Sequence, residues 1–231
     1  VVVDPADYPV VISELRTLRG QTSQETRRRL AAKAFARTAS YDASIAAWFS
    51  GQLHDPTPDY FATGGKRVQT LRYGENPHQK AALYASPDLR KGVASATQIQ
   101  GKELSYNNIN DTDAALDCLS EFGSENQAAC VIVKHANPCG VAVGENPVAA
   151  YRKALLCDPV SAFGGILAFN RELDEETALE IIKLFTEVIV APGASQAARA
   201  LIAAKKNLRL LLLDEIPNAR TTATTVKSII G

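Results

Sequence analysis

The segment Val131-Ile-Val-Lys-His-Ala-Asn-Pro-Cys-Gly140 ends an apolar run in two basic side chains and then turns at an Asn-Pro pair. A histidine changes charge near neutral pH and can take a proton from a nucleophile, while a lysine ammonium can stabilise an oxyanion. Lys134 and His135 are therefore a candidate catalytic pair if both reach one dry cleft at the end of a strand, where α/β folds hold ligands. Neighbours along a strand face opposite ways, so sharing a cleft requires a twist or bulge there. The competing local reading is a lysine that reaches water beside a histidine that donates to a backbone carbonyl in the turn.

Three further stretches carry polar chemistry. In Leu71-Arg-Tyr-Gly-Glu-Asn-Pro-His-Gln79, Arg72 suits an anionic sugar phosphate with Tyr73 packed beside it; otherwise it is a polar turn before a strand over Ala81 to Tyr84. Gly101 to Asp111 is rich in asparagines, Asn108 among them, which could orient a carboxamide, and Asp111 can cap the helix that follows. Asp158-Pro-Val-Ser-Ala-Phe-Gly-Gly165 sets Phe163, Gly164 and Gly165 before a strand, which permits close backbone approach to a flat ring or makes a tight turn. Ala191-Pro-Gly193 is a similar turn, and Glu187 joins the same sheet edge only if the strand order cooperates. Pro138-Cys139 opens like the zinc half-site of nucleobase deaminases, but Ala142 stands where the second cysteine belongs and no His-x-Glu occurs, so no metal is expected.

The elements that must position these groups alternate. Strands are expected over Val131 to Val133, Val141 to Val143, Ile166 to Phe169, Val188 to Val190 and Leu208 to Leu213. Helices are expected over Asp111 to Phe122, Pro147 to Leu156, Asp174 to Phe185 and Ser195 to Ala204. This alternation predicts an α/β sandwich. Ahead of it, Asp7 is expected to cap a short helix closed by Gly20, and Thr22 with Glu25 to open a long one with Leu30, Phe35, Tyr41, Ile45, Trp48 and Phe49 on one face. Arg27, Arg28, Arg29 and Lys33 read as a solvated face rather than a phosphate site. The two prolines of His54 to Asp59 mark a linker, which puts a domain boundary near residue 60.

With 25 basic and 25 acidic side chains in 231 residues, no charge excess draws the chain to nucleic acid or an acidic membrane, so a small-molecule partner is favoured. No apolar run approaches the roughly 20 residues of a membrane span, and no secretory signal is readable, so a cytoplasmic location is expected. Four scattered cysteines predict reduced thiols. The absence of methionine and the opening Val-Val-Val run read as an excerpt of a longer chain.

Taken in order, Leu71 to Gln79, Leu104-Ser-Tyr-Asn-Asn108, Val133 to Gly140, Asp158 to Gly165 and Ile189-Val-Ala-Pro-Gly193 closely resemble the bifunctional purine-biosynthesis family that fuses IMP cyclohydrolase to AICAR transformylase. The resemblance covers nearly the whole chain. It implies that residues 1–60 are the helical C-terminal end of a methylglyoxal synthase-like cyclohydrolase domain and its linker. Residues 61–231 would then begin the transformylase domain, in a lobe similar to cytidine deaminase without its zinc. The reaction implied is formyl transfer from 10-formyltetrahydrofolate to the 5-amino group of 5-aminoimidazole-4-carboxamide ribonucleotide (AICAR), followed by ring closure to IMP. The resemblance makes His135 the general base and Lys134 the oxyanion partner, and gives Arg72, Tyr73, Asn108, Phe163, Gly164 and Glu187 contacts to the nucleotide. It also implies a homodimer with a shared transformylase site. Two alternatives stand beside it: a zinc-free, deaminase-like hydrolase acting on a ribonucleotide, and a non-catalytic nucleotide-binding scaffold.

Overall fold

A computed structural model of the chain describes residues 1–85, 91–122, 127–216, 218 and 219. These form two compact units, residues 1–66 and the residues from 67 onward.

The first unit is helical. A 3-10 turn, Pro5–Asp7, leads into α1, Tyr8–Thr17, and then α2, Gln24–Gln52. Gly20, at φ +84°, ends α1 by donating its N–H to the Leu15 carbonyl. Asp7 does not cap with its side chain; its buried carboxylate takes the Lys33 ammonium at 2.7 Å and Arg29 at 3.6 Å, which accounts for part of the basic run. Ser23, not Thr22, caps α2, because Glu14 of α1 fixes that corner. The Glu14 carboxylate accepts the Ser23 N–H and the Ser23 and Thr26 hydroxyls, each at 2.8 Å, and these bonds hold it below the usual carboxylate range. On the expected apolar face of α2 Leu30 is buried, while Phe35, Tyr41, Ile45, Trp48 and Phe49 are all exposed.

The second unit carries a small two-stranded sheet, β1 (Lys66–Thr70) with β2 (Ala82–Ala85), and a six-stranded mixed sheet. The latter is built from β3 (Thr97–Gln100), α3 (Tyr106–Ser120), β4 (Ala128–Lys134), β5 (Asn137–Gly144), α4 (Pro147–Cys157), β6 (Gly165–Phe169), α5 (Glu175–Ile181), β7 (Thr186–Ala191), α6 (Gln196–Ala203) and β8 (Arg209–Leu212). Its strand order is β3-β8-β7-β6-β4-β5. Strands β6, β7 and β8 run parallel, while β3 and the β4–β5 hairpin are antiparallel to their neighbours.

The central strands are apolar on both faces, as a doubly covered sheet demands. Cys130, Ile132, Leu167, Phe169, Ile189 and Leu210 pack with α4, α5 and α6 on one side. Val131, Val133, Ile166, Ala168, Val188 and Val190 pack with α3 on the other. Three helices open on side-chain caps: Asn146, Asp174 and Ser195 each accept the N–H three residues on. Two helices differ from expectation. Helix α3 begins five residues before Asp111, because Ser105 and Asn108 form a reciprocal capping box. Helix α5 stops at Ile181, because the β-branched run from Thr186 is drawn into the sheet beside β6. The polar strands β1 and β3 carry no apolar alternation and were not expected.

Candidate active site

Strands β4 and β5 form a hairpin whose two-residue tip is His135-Ala136. Both tip residues have positive φ, 52° and 59°, the backbone a tight two-residue hairpin requires and usually obtains from Asn-Gly. Neither residue is glycine, so each pays about 1–2 kcal/mol for that conformation. Two bonds hold it: the Ala136 N–H donates to Asp111 Oδ1 of α3 at 2.8 Å, and Asn137 Nδ2 donates to the His135 carbonyl at 2.8 Å. Just below the tip, Ile132 pairs with Gly140 and Val133 with Pro138, so Cys139 bulges. The left-handed turn takes His135 out of β4, so the strict alternation that would set Lys134 and His135 on opposite faces ends at Lys134. The His135 side chain is exposed.

Lys134 is partly buried, and its ammonium is tied to backbone. Its Nζ donates to the carbonyls of Phe163 and Gly164, both at 3.1 Å. Gly164 has φ +69°, a conformation that calls for glycine, and a Cβ there would stand 3.1 Å from that Nζ and 3.4 Å from the Phe185 ring. Its N–H donates to the Phe185 carbonyl at 2.7 Å, and the Phe163 and Phe185 rings lie 5.3 Å apart. Upstream, Asp158 shapes the turn into this loop by accepting from the Val160 and Ser161 N–H groups and from the Ser161 hydroxyl at 2.6 Å, which lowers its pKa.

Asn108 is buried, and both ends of its amide are used. Its Oδ1 accepts the Ser105 N–H, and its Nδ2 donates to Glu187 Oε2 at 2.7 Å. Glu187 lies between Thr186 and Val188 of β7, opposite the start of β6 where the register slips after Gly165. Lys134, Phe163, Gly164, Asn108 and Glu187 thus converge on one end of the sheet. That end holds the N-terminal ends of parallel β6 and β7, not the C-terminal ends where ligands of parallel sheets usually sit. The antiparallel insertion of β4 brings its C-terminal end, with Lys134, to the same place. The Ala191-Pro-Gly193 turn lies at the other end of β7 and does not join the cluster.

Arg72 and Tyr73 pair with each other, the guanidinium 5.8 Å from the ring centroid, beside a loop closed by the Gly74 N–H on the Gln79 carbonyl. No hydrogen bond or ring contact among the described residues connects them to the Lys134 cluster. Nor is any group of three His, Cys, Asp or Glu side chains among the described residues placed to hold a metal ion. Burial pushes the Cys130 thiol well above its usual pKa, which leaves it inert.

Sequence reasoning missed Asp111 and Phe185 as parts of this region. Asp111 lies three residues after Asn108, and that helical spacing puts both on one face of α3. The signal was readable, but a capping role obscured it. Nothing in the sequence marks Phe185.

The family model of the AICARFT/IMPCHase bienzyme matches residues 1–231. The chain belongs to this family. It is 62% identical to a bifunctional purine biosynthesis protein PurH from Bradyrhizobium diazoefficiens over its full 231 residues, which are 44% of that relative. The PurH proteins of Parvibaculum lavamentivorans and Mesorhizobium japonicum are 58% and 56% identical over 231 residues, 43% of each. The chain therefore spans less than half the length of the curated relatives it matches. Among solved structures, Acinetobacter baumannii RibD aligns with 42% of this chain and 32% of its own at 15% identity and a TM-score of 0.31, too slight a likeness to bear on the fold.

Proposed function

We propose that the protein to which this chain belongs transfers the formyl group of 10-formyltetrahydrofolate to the 5-amino group of AICAR, and that its cyclohydrolase part then closes formyl-AICAR to IMP. The match of the bienzyme family to all 231 residues carries this reading. Residues 1–60 are the helical end of a methylglyoxal synthase-like cyclohydrolase domain, and residues 61–231 begin the transformylase in a cytidine deaminase-like lobe. The enzyme acts in the cytoplasm as a homodimer with a shared transformylase site.

In this mechanism His135 removes a proton from the 5-amino group as the nitrogen attacks the formyl carbon. The aromatic amine is conjugated to the carboxamide and is a poor nucleophile, so proton removal in the transition state is worth about 10²–10⁴-fold. The formyl oxygen becomes an oxyanion, and collapse of the tetrahedral intermediate expels the folate nitrogen, which takes up a proton. Lys134 suits the oxyanion role because an ammonium has three donors and two already rest on the Phe163 and Gly164 carbonyls. The orientation of the third is thereby fixed before substrate arrives, which is the condition for strong electrostatic stabilisation. Asn108, Glu187, Phe163 and Gly164 line the nucleotide site, and Arg72 with Tyr73 takes the phosphate.

Formyl transfer by the full-length protein at saturating AICAR and formyl donor tests the assignment. Lys134→Ala and His135→Ala should each lower kcat by about 10²-fold or more. Unchanged turnover in both variants would refute the mechanism.

A further inference from the structure

We propose that Asp111 is a positioning residue whose carboxylate holds the His135-Ala136 tip in the backbone conformation that presents the histidine, an inference that rests on His135 being the base. The tip needs such a hold because it takes positive φ at two consecutive non-glycine residues, 52° and 59°. Left to itself, a His-Ala loop favours other conformations, and the strand ends would follow.

The hold comes from a rigid element. Asp111 Oδ1 accepts the Ala136 N–H at 2.8 Å from within the second turn of α3. That helix is tied down at its start by the Ser105–Asn108 capping box and by the 2.7 Å bond from Asn108 to Glu187 of β7. One short chain of contacts therefore runs from β7 through α3 to the hairpin tip. The bond is made to backbone rather than to imidazole, so the role assigned to Asp111 is to set where His135 stands. An asparagine keeps an oxygen acceptor at the same place; an alanine does not. A glycine at 136 adopts positive φ without steric cost, so it should relieve the need for the hold.

The test uses the full-length protein. In the formyl-transfer assay, Asp111→Ala should lower kcat about ten-fold or more while the KM for AICAR changes little. Asp111→Asn should retain most of the activity, and Ala136→Gly added to Asp111→Ala should recover much of it. Wild-type kcat in Asp111→Ala would overturn the proposal, and so would failure of both Asp111→Asn and the added Ala136→Gly to recover turnover. Hydrogen exchange at the Ala136 amide separates this idea from the proposed function. It should be roughly ten-fold faster in Asp111→Ala whatever reaction the enzyme performs, and unchanged exchange would overturn the hold. A wild-type protein that transfers no formyl group would instead refute the functional reading.

Discussion

Gly140 closes the Lys-His-Ala-Asn-Pro-Cys-Gly motif, yet its place in the structure concerns packing. A Cβ at Gly140 would stand 2.2 Å from the Ala154 carbonyl oxygen and 3.0 Å from its carbon, both backbone atoms of α4. Carbon and carbonyl oxygen normally approach no closer than about 3.3 Å, so α4 would have to retreat by roughly 1 Å. It cannot do so alone, because its Val148, Ala150, Tyr151 and Ala154 are at most 2% exposed in the core. A radial gap of that size forfeits roughly a quarter to a half of each contact. Gly140→Ala should therefore cost about 3 kcal/mol, the upper part of the overpacking range. Gly92→Ala is the matched control: among the described residues no atom lies within 4 Å of a Cβ there and its backbone is extended, so it should stay within about 0.5 kcal/mol of wild type. Urea unfolding followed by far-UV circular dichroism gives both values from midpoints at constant slope. Strand β5 is the return limb of the hairpin that carries His135, so Gly140→Ala should also slow formyl transfer more than Gly92→Ala does. A Gly140→Ala protein within about 1 kcal/mol of wild type, with unchanged slope, would refute this account of the α4–β5 contact.

The Tyr151 hydroxyl is buried without a hydrogen-bond partner among the described residues, and desolvation pushes its pKa up to about 12. Tyr151→Phe removes that stranded polar group and should stabilise the protein by about 1 kcal/mol, read as a higher urea midpoint; a lower midpoint contradicts it. Asn170 accepts the Ala129 N–H at 2.7 Å and donates to the Gln127 carbonyl at 3.1 Å, so Asn170→Ala should cost about 2 kcal/mol and speed exchange of the Ala129 amide. Glu14 is held below its ordinary value of 4.5 by the Ser23 and Thr26 bonds. Its contribution is thus complete above that value and is lost as pH falls through the lower folded pKa. Urea midpoints of the helical unit measured from pH 6 down to pH 2 should decline more steeply in wild type than in Glu14→Gln, and parallel curves would count against it.

The alternation of β4 to β8 with α4 to α6 was legible because each strand holds a short apolar run and each helix opens on a side-chain cap. Polar edges were not: β1 and β3 have no apolar period, and their strand character comes only from the neighbours they pair with. At the site, the sequence signalled a turn after Lys134 and His135 but put it at Asn137-Pro138, whereas the tip is His135-Ala136 and Asn137 already pairs with Lys134 in β5; the partners of Lys134 are backbone carbonyls, which leave no trace in side-chain chemistry. The same holds for Gly140, where the sequence shows a permissive residue but not the helix backbone that requires it. Asp111 was misread because a carboxylate near a helix start fits a cap equally well, and only the tertiary contact with Ala136 distinguishes the two.

The charge arrangement around Lys134 bears on the oxyanion role proposed for it. Among the described residues it enters no ion pair; its two partners are neutral carbonyls, which orient an ammonium without cancelling its charge. Two carboxylates belong to the same end of the sheet, and each is engaged elsewhere. Glu187 takes the Asn108 amide, and Asp111 takes the Ala136 N–H. Were either free to turn to Lys134, the pair would be internally neutral and the lysine would have less to offer an anion. Asn108 therefore serves twice in this geometry, closing the capping box of α3 with its oxygen while its nitrogen occupies Glu187. An Asn108→Asp change would replace that donor with a second negative charge 2.7 Å from Glu187, a repulsion that drives one carboxylate to take up a proton or to move. The partners given to these two carboxylates thus leave the Lys134 ammonium outside any ion pair among the described residues, although the carboxylates keep their charge.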